Sequence, residues 1–189
     1  MPAEYRPHVL GVDDAPFDKA QAGPVPIVAV TLEAADRVEG VAIGAFPVDG
    51  EDATGYLAGW IATLRTRPSL QAVMLGGITM AGLGVVDLPR LAECTGLPVL
   101  AVTRRRPDNA EVLAALRAAG LAHRAPVVER TPAAHRVADG LYVACAGADR
   151  WHAERLVRAT LGKSRLPEPL RVAHMIAGAI ATGESRGRV

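Results

Sequence analysis

Residues 11–17 read Gly11-Val12-Asp13-Asp14-Ala15-Pro16-Phe17, and the interpretation of the whole chain starts there. A short apolar run, Val9, Leu10 and Val12, stops abruptly at two adjacent carboxylates. Such a run reads as a buried strand. Acidic side chains at its end are costly to cover unless something positive meets them. A bound divalent cation is one such partner, which makes the chain a candidate for phosphoryl-transfer chemistry. The plainer alternative is a turn in which one Asp side chain caps Phe17 or Asp18.

Outward from this strand, Pro26–Leu32 and Val38–Val48 are two more strand-like segments, joined by the polar stretch Glu33–Arg37. That spacing suits an antiparallel hairpin or meander. A helix follows over Ala53–Arg67, with Leu57, Trp60, Ile61 and Leu64 on one face, Asp52 as N-cap and Pro68 past its end. Gln71–Leu75 reads as a buried strand and leads into the Gly-rich loop Gly76–Gly84. A helix over Asp87–Thr95 stops at Gly96, Pro98–Val102 is a strand, and Asn109–Ala119 is a helix closed by Gly120. Leu121–Asp139 has little pattern beyond a strand start at Val127-Val128. Leu141–Cys145 is strand-like, and helices follow over Arg150–Leu161 and from Glu168 onward.

Strands and helices alternate after residue 53, which points to parallel strands. The expected architecture is therefore α/β: a ribonuclease H-like mixed sheet, antiparallel in its first strands and then parallel, with helices on both faces, in a single domain over residues 1–189. Doubly wound nucleotide-binding folds are the rival. The chain lacks both Gly-x-Gly-x-x-Gly after its first strand and a loop ending in Gly-Lys-Ser/Thr. The Gly76–Gly82 loop thus reads better as a tight connection lining a cleft than as a nucleotide cradle.

Half of the residues are hydrophobic, enough for a core without staples, and with only 4% aromatics it is built mainly from Ala, Val, Leu and Ile. The net charge of +1 argues against a broadly nucleic-acid-coated surface but leaves room for a local basic patch. Cys94 and Cys145 lack metal-type spacing and read as reduced core thiols of a cytoplasmic protein. No stretch reads as a signal peptide or membrane span.

Several segments resemble the family catalogued as domain of unknown function 99. They are residues 11–17, Val48-Asp49-Gly50-Glu51-Asp52-Ala53-Thr54, Val73–Leu88 (VMLGGITMAGLGVVDL) and Pro167–Arg188 (PEPLRVAHMIAGAIATGESRGR). That family is similar to endonuclease V, a ribonuclease H-like enzyme that uses Mg²⁺ to cut nucleic acid near deaminated bases. The resemblance implies metal-dependent hydrolysis of phosphodiester bonds in DNA or RNA, with Mg²⁺ or Mn²⁺ as cofactor and nucleic acid as partner.

It also implies three carboxylates. The first maps to Asp13 or Asp14; strand register favours Asp13, and counting back from Phe17 favours Asp14. The second maps to Asp52, with Asp49 as substitute. The third falls at position 76, where the family carries Asp in a Leu-Asp-Gly-Ile-Thr motif and this chain has Leu75-Gly76-Gly77-Ile78-Thr79. Glycine has no side chain to ligate a metal, so nuclease chemistry is expected to be weakened; Asp87 and Glu51 are the nearby acids that could move in. The alternative is a catalytically inactive nucleic-acid-binding or regulatory protein on the same fold.

His174 matches the last helix of endonuclease V and is the candidate to assist catalysis, against a packed histidine. Arg104, first of the run Arg104-Arg105-Arg106, stands where endonuclease V carries a Lys and is the candidate phosphate contact, against a solvated loop. Arg171 and Arg186, with Lys163 and Arg188, would extend a basic surface.

Overall fold

The computed structural model describes residues 5–18 and 23–185. In chain order its elements are β1 (His8–Asp14), β2 (Val25–Glu33), β3 (Arg37–Phe46), α1 (Ala53–Thr63), β4 (Ala72–Leu75), β5 (Thr79–Met80), β6 (Gly84–Val85), α2 (Leu88–Thr95), β7 (Val99–Thr103), α3 (Asn109–Ala118), α4 (Ala125–Glu129), β8 (His135–Ala138), β9 (Leu141–Ala146), α5 (Arg150–Thr160) and α6 (Glu168–Thr182).

Seven strands form one sheet in the order β3-β2-β1-β4-β7-β9-β8. The opening β1-β2-β3 meander is antiparallel, and β4 and β7 then run parallel to β1. This is the expected ribonuclease H-like mixed sheet. It is extended at one side by β9, antiparallel to β7, and by β8.

Helices cover both faces. On one face Leu10, Val12, Val73 and Leu75 pack with Leu57, Ile61, Leu88 and Leu91 of α1 and α2. On the other, Val9, Met74, Leu100 and Val102 pack with Leu156 and Val157 of α5 and Leu170 of α6. Successive strand residues point to opposite faces, so the even-numbered residues of β1 belong to the first core and the odd-numbered ones face α6.

Gly11 is the close-contact position. A Cβ there would overlap the Pro169 carbonyl and come within 2.6 Å of the Leu170 nitrogen. Because Gly11 has none, the start of α6 rests directly on the backbone of β1.

Local expectations change at four points, the first being that α1 ends at Thr63 and not at Arg67, with a separate short turn over Arg67–Ser69. Val127-Val128 belongs to the short helix α4, where Pro126 stands in the first turn, a position that needs no N–H. The neighbouring strand is instead His135–Ala138. Cys94 is exposed at the end of α2 rather than in the core. Cys145 is half-buried, and burial pushes its thiol up to about 11. The Gly76–Gly84 connection folds as a small β5–β6 hairpin.

Candidate functional site

The parallel strands β1, β4 and β7 end at one edge of the sheet, at Asp13, Gly76 and Arg104. Open α/β sheets bind ligands beyond the carboxyl ends of such strands. Here that edge opens into a cleft of about 1160 Å³, whose lining includes Asp13, Gly76, Arg104, Arg105, Arg165, Arg171 and His174.

The strand alternation separates the two aspartates. Asp13 shares its face with Gly11 and meets α6, where its Oδ2 lies 2.8 Å from His174 Nδ1. Asp14 points to the other face, and its Oδ2 accepts the Ala81 N–H at 2.8 Å. Burial raises the Asp14 carboxyl above its ordinary range, against that hydrogen bond. The hydrogen bond that its Nδ1–H donates to Asp13 raises the His174 imidazole, against partial burial and the repulsion of Arg104. The Asp13 side chain is 21% exposed and that of His174 is 58%, so Asp13 forms the floor and His174 reaches toward solvent.

Gly76 is directly across from Asp13. A Cβ at position 76 would stand 3.3 Å from Asp13 Oδ1, with no left-handed backbone to resist a side chain. Position 76, where the resemblance implies an aspartate, therefore faces the first carboxylate.

The remaining predicted acids are engaged elsewhere. Asp49 Oδ1 accepts the Leu83 N–H at 2.7 Å. Asp52 caps α1 by accepting the Gly55 N–H at 3.0 Å, and it pairs with Arg90 at 2.8 Å. Asp87 caps α2 and pairs with Arg130 at 2.7 Å, and Glu51 pairs with Arg124, so neither has moved in toward Gly76. Asp52→Ala is expected to lower stability by about 1 kcal/mol in urea denaturation, as loss of a helix cap does, and to leave strand binding unchanged.

The expected metal set of Asp13, Asp14, Asp49 and Asp52 is thus not gathered into one group. Among the described residues, no three His, Cys, Asp or Glu side chains converge as a metal-holding cluster. The donors around Asp13 do not fit a resident pair of cations. They fit at most one cation shared with a bound phosphate, since Mg²⁺ commonly takes one or two carboxylates plus substrate oxygens.

The basic candidates fare differently. Arg104 and Arg171 both line the cleft. The Arg171 guanidinium is held by Glu168, with Nη2 2.6 Å from Oε2. Arg186 lies outside the described residues, and so does Arg188. Sequence reasoning missed Arg165, whose only signal was its place just ahead of the Pro167–His174 motif. It also missed Arg124, a buried side chain that donates to the Leu83 and Asp49 carbonyls at 2.8 and 2.9 Å and ties the β5–β6 hairpin to the segment before α1.

The sequence model of the Endonuclease dU family matches residues 6–181. The chain belongs to this family. A family relative, a UPF0215 protein of Methanothermobacter thermautotrophicus, is 38% identical over 183 residues, covering 95% of this chain and 90% of the relative. Another, from Thermococcus gammatolerans, is 39% identical over 183 residues, covering 94% and 93%. Among solved structures, a protein of Archaeoglobus fulgidus is similar at TM-score 0.84 and 34% identity, over 93% of this chain and 98% of that one. Endonuclease V of Bacillus subtilis superposes at TM-score 0.60 and 13% identity, over 93% and 81%. Endonuclease V of Ciona intestinalis, in complex with a 24mer DNA containing an inosine followed by a ribo-adenosine, superposes at 0.53 and 15%, over 89% and 82%. This Endonuclease dU family member therefore has the endonuclease V fold. Among the described residues, no helix is long and apolar enough to cross a membrane.

Proposed function

We propose that this protein is a cytoplasmic endonuclease that binds a nucleic-acid strand in the Asp13–His174 cleft and cuts a phosphodiester beside a deaminated base. Deoxyuridine in DNA is the first candidate substrate, from the name of the family; inosine, present in the DNA bound by a structural neighbour, is likewise a deamination product. The observation carrying this reading is that Asp13, Arg104, Arg171 and His174 share one cleft with Gly76 at the ends of the parallel strands.

Each side chain has a task its geometry allows. Arg104 and Arg171 hold phosphate oxygens, and Glu168 keeps the Arg171 fork in a fixed orientation. Asp13 fixes the His174 ring through Nδ1, which directs Nε2 away from the carboxylate. A protonated His174 can contact a phosphate or give its proton to a departing oxygen. Asp13 Oδ1 would hold a single Mg²⁺ or Mn²⁺ together with phosphate oxygens. When bound, such an ion lowers the pKa of a water and makes it nucleophilic.

A second reading, strand binding without cleavage, is favoured by Gly76 and by the absence of a gathered carboxylate set among the described residues. End-labelled single strands containing deoxyuridine, deoxyinosine or neither separate the two. Products at the lesion with Mg²⁺ or Mn²⁺, and none in chelator, support the nuclease. Binding that persists in chelator with no product under any condition supports the second reading, and absence of both binding and product contradicts both.

A further inference from the structure

We propose that Arg105 and Arg165 hold a second backbone phosphate, so that the cleft takes a run of single-stranded nucleic acid and not an isolated nucleotide. The proposal rests on the strand-binding part of the reading above and names two residues and a substrate form that it leaves open.

Charge sets the cleft apart. Elsewhere many arginines have carboxylate partners: Arg6, Arg37, Arg90, Arg124, Arg130, Arg136 and Arg150 are all ion-paired. Arg104, Arg105 and Arg165 have no such partner among the described residues, and all three line the same cleft. They arrive there from two distant segments, one following β7 and one preceding α6. A chain of net charge +1 that gathers three uncompensated guanidiniums in one place creates a local field for a polyanion. One phosphate beside Asp13 and His174 accounts for Arg104 and Arg171. It leaves Arg105 and Arg165 for the neighbouring phosphate of the same strand.

Shape and lining chemistry agree. A small-molecule pocket is typically about 300–1000 Å³ and mostly enclosed by apolar walls. This cleft, about 1160 Å³, is larger and open, and among the described residues no Phe, Tyr or Trp lines it. Base stacking, the usual anchor for a free nucleotide or an exposed base, has only the His174 ring and the arginine planes to act on there. Contact falls mainly to the sugar–phosphate backbone, which gives register without reading sequence. With Asp13 largely covered at the floor, a strand must lie down into the cleft to bring a phosphate to it. A flexible single strand bends to do so more easily than a stiff duplex.

The test is the salt dependence of binding for a lesion-free, fluorescently labelled single-stranded DNA of about 12 nucleotides, within the range one binding fold occupies. It is measured in chelator so that cleavage plays no part. Arg105→Gln and Arg165→Gln are each expected to weaken binding about fivefold and to reduce the slope of log K against log salt by about 0.7, with the double variant losing about 1.4. Arg136→Gln, a surface arginine paired with Asp139, serves as the control and should change neither. Thymidine monophosphate should bind the double variant as weakly as the unaltered protein. Unchanged slopes for Arg105→Gln and Arg165→Gln, where Arg104→Gln and Arg171→Gln lower them, would overturn this proposal and leave the strand-binding reading intact. A duplex of equal length binding as tightly as the single strand would overturn the single-strand part. No binding of any strand by the unaltered protein would overturn both.

Discussion

Gly11→Val is expected to cost about 3 kcal/mol of stability or more, the upper end of what overpacking a close-packed interior costs. The reason is that the new side chain meets backbone, not a flexible side-chain tip. Even its Cβ would overlap the Pro169 carbonyl and crowd the Leu170 nitrogen. Protein interiors are packed like crystals and have no spare volume there. The only relief is to lift the start of α6 off β1. That movement carries a second consequence, because His174 sits one turn beyond Leu170 on the same helix and reaches Asp13 across the same contact. Urea denaturation should show the lost stability. The His174–Asp13 pairing should be lost too, seen as a fall in the His174 pKa. A variant within about 0.5 kcal/mol of the unaltered protein, the range of a neutral surface change, would show that α6 does not bear on Gly11 as described.

Gly76→Asp is expected to tighten Mn²⁺ binding at least about tenfold, or about 1.4 kcal/mol. Position 76 faces Asp13 Oδ1 at 3.3 Å from its would-be Cβ, so a carboxylate there stands beside the first without left-handed strain. Two neighbouring carboxylates repel when no cation is present and chelate when one is. The variant should therefore melt lower than the unaltered protein in chelator, and Mn²⁺ should raise its melting temperature more. Calorimetric titration reads the affinity directly. Equal Mn²⁺ affinity in the two proteins would mean that the floor of the cleft is not a cation site even when its carboxylate is rebuilt.

Much of the architecture was legible because strong local patterns agreed with the tertiary packing. The apolar run ending at Asp13-Asp14, the close spacing of the next two strands and the later alternation of strand and helix predict the mixed sheet that forms. Val127-Val128 misled because a pair of β-branched residues says strand only when nothing competes. Here Pro126 starts a short helix, and Val128 is buried with Leu116. At the site, the choice between Asp13 and Asp14 follows from the face each occupies, and that face is decided by where α6 lies, a long-range fact. Asp49 and Asp52 carried the family motif and still turned toward local backbone N–H groups. Both have positive φ, 50° and 47°, which aspartate tolerates because its carboxylate bonds nearby backbone. Arg165 had no periodicity or motif of its own, and only the cleft identifies it.

The proposed function requires a strand's phosphate to enter the cleft between Asp13, Arg104, Arg171 and His174. The most direct measurement is histidine side-chain NMR during titration with a deoxyuridine-containing single strand in chelator. The His174 ring resonances are expected to shift with saturation while those of His152, on α5, hold still, and free His174 is expected to titrate above the ordinary histidine value of about 6.5. Asp13→Asn is expected to lower that titration and weaken the shift. Saturable strand binding that leaves His174 unmoved would place the nucleic acid elsewhere and contradict the account.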